Sequence, residues 1–309
     1  MLRPILSEPS TIIVASYNRP RQLRECLTSL CRLDHPDFRI IVVDDGSDTP
    51  LNTVVSDFGD RVTVMRQQNK GPAAARNLGV EAATGDFVAF TDDDCRPDVH
   101  WLSRLEAAHR RCPEALVGGG VVNGYPRNTF SGASQRVMDF LYRWYDETDQ
   151  RMRFFTTNNI GFSRRVFLNM GKLDPFFRFA SEDRDLGLRW QASGLPLVYC
   201  PEARVRHFHH LSLASFFAQH ASYGRGARRL HLKLGDDPRL NLEPFWFYTG
   251  LLLEPFRSEH DAPILSRAAQ SALIALSQVA MTCGYTAERL RGGGHPPEFS
   301  DRVTREKAQ

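Results

Sequence analysis

The chain has 309 residues and a mass near 35 kDa, which allows one large domain or two modest ones. With 24% charged and 42% hydrophobic residues, collagen-like, disordered and fully membrane-embedded classes are excluded. The 39 Lys and Arg against 36 Asp and Glu leave only +3, too little for a dedicated nucleic-acid binder, so no nucleic-acid partner is expected.

The apolar run 11–15 is too short for a signal-peptide core and reads as a strand. From residue 10 to about 91, β-branched runs alternate with helical patterns, the signature of parallel strands joined by crossover helices. The strands are predicted at 11–16, 38–44, 61–66 and 86–91, and the helices at 20–31, with Leu23, Leu27 and Leu30 in register, and at 72–83. The first, second and fourth strands run directly into Ser16-Tyr17-Asn18, Asp44-Asp45-Gly46-Ser47 and Asp92-Asp93-Asp94. Ligands of open parallel sheets collect at the carboxyl ends of strands, so these three ends point to one site. Farther on, the spacing predicts a helix at 101–111, a glycine-bearing strand at 116–125 and an aromatic helix at 135–145. Thr156-Thr157-Asn158-Asn159 opens a second half of the site; a strand, a helix at 182–192 and closing strands at 197–200 and 203–207 follow.

From 211 onward the pattern is helical. Leu213, Phe216, Phe217 and His220 recur near helical spacing, then come the basic cluster Arg225, Arg228, Arg229 and Lys233, the aromatic run 245–248 and the apolar 251–253. No stretch reaches 18 apolar residues, because 264–285 is interrupted by Ser266, Arg267, Gln270, Ser271, Ser277 and Gln278. A soluble or peripheral protein is expected, with residues 211–290 forming a helical appendage that packs on the preceding α/β domain or forms a homodimer. Peripheral contact of its basic cluster with an anionic membrane or lipid is the second expectation. Residues 291–309 read as a flexible tail. The cysteines, Cys26, Cys31, Cys95, Cys112, Cys200 and Cys283, show no C-x-x-C spacing. They read as reduced thiols of a cytoplasmic protein, peripheral at most at the inner face of the membrane.

Asp92, Asp93 and Asp94 are the most informative feature. Clustered carboxylates repel one another unless a cation or donors compensate, so a hard divalent ion with a diphosphate completing its shell is the simplest justification. Read alone, the same residues make a solvated acidic turn. Asp44 and Asp45 offer acceptors for a nucleobase N–H or a ribose hydroxyl, or merely a type I turn. Lys70 and Arg76 flank the start of a small-residue helix, a place that favours a phosphate, although the G-x-x-x-x-G-K-[ST] spacing is absent. Gly118-Gly119-Gly120 is no dinucleotide fingerprint and reads as a flexible or closely packed strand. Glu182 and Asp183 open a helix at an exposed mouth; a carboxylate there serves as a general base or as N-terminal decoration. Asp185 and Arg189, four apart, read as a surface pair. Of the histidines after the last strand, His207, His209 and His210, alternation places the first two on one face, and His207 is the preferred ligand.

In this order the pieces resemble the inverting family 2 glycosyltransferases of GT-A fold. The matching segments are Ile12-Ile13-Val14-Ala15-Ser16-Tyr17-Asn18-Arg19, Val42-Val43-Asp44-Asp45-Gly46-Ser47, Asn69-Lys70-Gly71-Pro72 with Ala75-Arg76-Asn77, Thr84-Gly85-Asp86 through Asp94, and Glu182-Asp183. The resemblance covers residues 10–210. It implies an α/β architecture: a Rossmann-like, mostly parallel sheet flanked by helices, with a nucleotide-sugar half at 10–95, an acceptor half at 96–210 and a C-terminal helical appendage. It also implies a nucleotide-sugar donor, usually a UDP-sugar, bound with Mn²⁺ or Mg²⁺, and a glycan, lipid-linked or small-molecule acceptor. By the same resemblance Ser16, Tyr17, Asn18, Arg19 and Asp45 hold the nucleoside side, with Lys70 and Arg76 near the diphosphate or ribose. Asp92 and Asp94 form the D-x-D motif around Asp93, which lies on the donor-binding side; Asp94, Asp92 and His207 are the metal ligands, Asp94 first, and Asp183 is the base. Two rivals share the framework. A sugar-phosphate nucleotidyltransferase wants a glycine-rich basic loop after the first strand, where this chain has Ser16-Tyr17-Asn18-Arg19-Pro20. A non-catalytic nucleotide-binding module is disfavoured by the intact carboxylates.

Overall fold

A computed structural model describes residues 8–147, 152–178, 180–235, 237–258 and 263–292. The strands are β1 (Ser10–Ser16), β2 (Phe38–Asp44), β3 (Val62–Arg66), β4 (Phe87–Asp92), β5 (Cys95–Pro97), β6 (Leu116–Asn123), β7 (Asn159–Ser163) and β8 (Leu197–His207). The helices are α1 (Pro20–Leu30), α2 (Asn52–Val55), α3 (Pro72–Ala82), α4 (Trp101–Arg111), α5 (Thr129–Glu147), α6 (Arg164–Asn169), α7 (Glu182–Ala192), α8 (Leu213–Leu234), α9 (Phe245–Ser258) and α10 (Ile264–Leu290). The chain divides into two compact units. The first holds residues up to 178 and 182–211, the second residues 212 onward with the short segment around 180.

In the first unit one sheet runs β3-β2-β1-β4-β7-β6-β8-β5. Its first four strands are parallel, as their near-continuous apolar sequences demand, because a sheet covered by crossover helices is buried on both faces. Ile12, Ile13, Val14, Ile40, Val42, Val43, Val88 and Phe90 are all fully buried. The crossover between β2 and β3, which carries no clear sequence pattern, is made by the single-turn α2 and a 3₁₀ segment Ser56–Arg61. Beyond β4 the sheet becomes mixed: β7 is antiparallel to both its neighbours, and β5 is antiparallel to β8. The two predicted closing strands are one long strand, β8, whose pairing with β6 shifts register between Gly119 and Gly120. Gly118 has no flexible role, because a Cβ there would enter the Phe155 ring.

Thr156 and Asn159 belong to the scaffold rather than to a second half of the site. Asn159 is 1% exposed; it accepts from Trp101 Nε1 at 2.7 Å and donates to the Gly120 and Ala203 carbonyls at 2.8 and 2.9 Å. Thr156 is tied to the Tyr142 hydroxyl. Asp185 is likewise no surface residue: it is fully buried, paired with Arg189 at 2.7 Å. Arg189 in turn donates to the Lys172 carbonyl, so the pair ties α7 to the preceding turn.

The second unit is helical, as expected from 211 onward. α8 and α10 cross closely at two glycines: a Cβ on Gly224 would collide with the Met281 carbonyl, and one on Gly284 with that of Ala221. The basic cluster is half-buried and partly engaged within the unit. Arg229 pairs with Glu288 at 2.7 Å, Arg225 donates to Ser222, and the Arg228 guanidinium lies over Tyr285. α10, 27 residues long, meets the length and composition of a membrane span, contrary to the sequence expectation. One face of it, with Gln270, Ile274, Ser277, Ala280, Gly284 and Glu288, is nevertheless buried. The residues after 292 lie outside those described.

His220 of α8 is 1% exposed, packed against Phe216 and Tyr223, and neither ring nitrogen has a hydrogen-bond partner among the described residues. Burial alone pushes its pKa down to about 4. A histidine held neutral in the fold contributes stability that is complete above its unfolded pKa and lost as pH falls from about 6.5 toward 4. Chemical denaturation at pH 7.5 and pH 5 should therefore show a loss near pH 5 of about 2 kcal/mol, and His220→Phe should lose less. Equal losses in the two proteins would remove His220 as the cause.

Candidate active site

The carboxyl ends of β1, β2 and β4 meet through a polar web. Asp44 caps its own turn, accepting from Ser47 N at 2.8 Å and from Arg66 at 2.6 Å. Asp45 is 4% exposed and accepts from Gln67 Nε2 at 2.7 Å and from the Lys70 and Gly71 amides at 2.9 Å. It thereby fixes the loop that opens α3, leaving the Lys70 side chain exposed at the rim. Asn18, with φ at +56°, takes the left-handed conformation that Asn tolerates and holds the β2 loop through Ser47 and Asp48. Tyr17 projects from this web, 45% exposed.

The three consecutive aspartates have different sets of partners, with Arg19 shared by the last two. Asp92 accepts from Arg76 Nη2 at 2.5 Å. Asp93, 3% exposed, accepts from Ser16 Oγ at 2.7 Å and from Arg19 at 3.1 Å. Burial and the neighbouring aspartates push its pKa up to about 6 against those two donors. Ser16 therefore buttresses the acidic turn. Asp94 lies 3.2 Å from His207 Nε2 and 3.1 Å from Arg19 Nη1. Burial raises its pKa, but the His207 imidazole and the Arg19 charge outweigh it and hold it near 2.

Asp94, His207 and His209 each bring a ligand atom within 4.8 Å of the others. The donor set fits a divalent ion: Asp94 Oδ1 is buried and receives no well-directed hydrogen bond, although it faces an imidazole nitrogen. One carboxylate and two imidazoles suit Mn²⁺ better than the all-oxygen preference of Mg²⁺. Of the predicted ligands, Asp94 and His207 are brought together; Asp92 turns to Arg76 and is outside the cluster. His209 takes its place. Its ring centroid is 5.2 Å from that of His207, so the two imidazoles lie together as alternation predicts, although β8 itself ends at His207. The cluster borders a cavity of about 220 Å³ whose walls include Arg19, Asp94, Arg96, Tyr125, Phe208 and His209.

Arg76 connects this turn with the start of α7. It is 5% exposed, and besides Asp92 it reaches Glu182 Oε1 at 3.4 Å. Its guanidinium is engaged by both carboxylates. Glu182 and Asp183 are not at an open helix mouth either; the Glu182 side chain is 13% exposed. Burial and the Asp183 charge push the Glu182 pKa up to about 7, and burial raises that of Asp183. Asp183 Oδ1 accepts from the Arg184 amide at 2.7 Å.

A solved structure of a mannosyltransferase, PcManGT from Pyrobaculum calidifontis with GDP-Man and Mn²⁺, superposes with a TM-score of 0.62 over 94% of this chain and 89% of that one. At 17% identity the likeness establishes the GT-A fold. The pre-mycofactocin glycosyltransferase of Mycobacterium tuberculosis strain H37Rv is 31% identical over 232 residues, 73% of this chain and 48% of the relative. The chain thus spans about half the length of that relative. The glucosyl-dolichyl phosphate glucuronosyltransferase of Haloferax volcanii is 26% identical over 64% of this chain and 68% of its own. The model of glycosyl transferase family 2 matches residues 11–171, more than half of the 309, and takes in β1 to β7 with all three aspartates, so the chain belongs to glycosyl transferase family 2.

Proposed function

We propose that the chain transfers a sugar from a nucleoside diphosphate donor, a UDP-sugar in the first instance, to an acceptor hydroxyl with inversion at the anomeric carbon. The observation that carries this reading is Arg76. It bridges Asp92, beside the Asp94–His207–His209 cluster, to Glu182, beside Asp183, and so links a leaving-group side to a base side. Asp94, His207 and His209 would hold Mn²⁺, which when bound neutralises charge on the departing diphosphate. Tyr17 and the amide web around Asp45 line the nucleoside side. Asp183 takes the proton of the acceptor hydroxyl as its oxygen bonds to the anomeric carbon, and the carbon–oxygen bond to the diphosphate breaks. Attack from the face opposite the leaving group inverts the centre.

The acceptor is a glycan, a lipid-linked saccharide or a small molecule; the Haloferax relative's name supports the lipid-linked choice. Six free cysteines fit a reducing, cytoplasmic setting. A screen of UDP- and GDP-sugars, with Mn²⁺, Mg²⁺ or chelator, should show release of nucleoside diphosphate that is fastest with Mn²⁺ and is lost with chelator. NMR of the product should show the opposite anomer to the donor. Turnover undiminished by chelator, or a retained anomer, would overturn the reading.

A further inference from the structure

Arg19 occupies a position whose charge competes with the cation. Its backbone is fixed: the residue before it is the left-handed Asn18, and Pro20 begins α1 directly after it. The side chain is the reverse, 49% exposed and laid across two carboxylates that are 4% and 9% exposed. One nitrogen, Nη1, is 3.1 Å from Asp93 Oδ1 and 3.1 Å from Asp94 Oδ2. The other oxygen of Asp94 faces His207. Asp94 is therefore flanked by a guanidinium on one side and by the imidazoles of the proposed metal site on the other.

We infer that Arg19 is a built-in counter-cation for Asp94 that couples metal binding to nucleotide binding. The inference rests on the metal-dependent reading above. With Arg19 in place the carboxylate is already neutralised, and a divalent ion arriving alone meets a fixed positive charge across the same carboxylate. A nucleoside diphosphate brings oxygens that accept from the guanidinium as a bidentate fork. Arg19 then leaves Asp94 for the phosphate, while Asp93, anchored by Ser16, keeps the arm beside the site. Freed of its competitor, Asp94 gives its full charge to the ion. The two ligands thus raise each other's affinity, and by linkage the effect is reciprocal. The chain would resist loading with metal in the absence of donor, and so keep the acidic turn compact between turnovers.

The test uses the whole chain and Mn²⁺ alone, titrated with free Mn²⁺ followed by electron paramagnetic resonance, for wild type, Arg19→Gln and Arg19→Lys. Arg19→Gln should bind Mn²⁺ alone about tenfold more tightly than wild type. Arg19→Lys, which restores a cation, should return to within about threefold of wild type. Addition of UDP should tighten Mn²⁺ by a larger factor in wild type than in Arg19→Gln. Melting curves confirm that each variant is folded, and Asp94→Asn, expected to lose Mn²⁺, confirms which site is titrated. Mn²⁺ bound by Arg19→Gln no more tightly than by wild type would overturn the inference while leaving metal dependence standing. No Mn²⁺ bound by any of the three proteins, with UDP present as well as absent, would overturn both.

Discussion

Asp94→Ala should lower turnover by about 10³-fold, the order seen when one preorganised group stabilising a developing charge is removed. Of the three aspartates it alone meets both histidines of the cluster. Asp92 is held by Arg76 and Asp93 by Ser16 and Arg19. The expected loss is therefore unequal along the run. Mn²⁺ binding, measured by calorimetry, should vanish in Asp94→Ala and persist in Asp92→Asn, whose defect should lie in the arrangement of Arg76. His209→Ala should weaken Mn²⁺ as His207→Ala does, because each supplies one imidazole. A folded Asp94→Ala protein with unchanged Mn²⁺ affinity would remove the cluster from the mechanism.

That unequal assignment marks the boundary of what a sequence can say. The strands β1, β2 and β4, and the polar residues at their ends, are legible because local period and composition specify them. So are α1 and α3, whose first prolines fall where a helix begins. What each aspartate does is not legible. The partner of Asp92 lies 16 residues away and that of Asp93 77 residues away in Ser16, and only the folded sheet brings them near. His209 is legible in part: alternation places it beside His207, as found, although the strand ends at His207 and nothing local marks the second imidazole as a ligand. In the second unit the arginines of α8 read as an outward-facing charge run because their neighbours in sequence carry no counter-charge. The compensating Glu288 of Arg229 comes 59 residues later, on α10. Thus the residues with local meaning are predictable in place and type, whereas those that answer a distant charge are predictable only in type.

Asp183→Asn should reduce kcat by about 10²–10⁴-fold, the usual worth of a positioned general base, with the Kd for donor changed little. The substitution keeps the shape of the side chain and the oxygen that accepts from the Arg184 amide, so a loss confined to kcat identifies proton transfer rather than binding. The pH profile supplies the second check. Burial raises the Asp183 pKa, and only its ionised form accepts a proton. The rate should therefore fall as pH falls through a value above the ordinary carboxylate range. Arg76 acts in the opposite sense, its charge pulling both Glu182 and Asp183 downward. Arg76→Met, by removing that charge, should move the acid limb of kcat/KM to higher pH. A merely structural loss at Arg76 would lower the rate equally at every pH. If Asp183→Asn retains full activity while Glu182→Gln loses it, the base is Glu182. The upward displacement of the acid limb in Arg76→Met would still be expected, because the same guanidinium lies 3.4 Å from the Glu182 carboxylate.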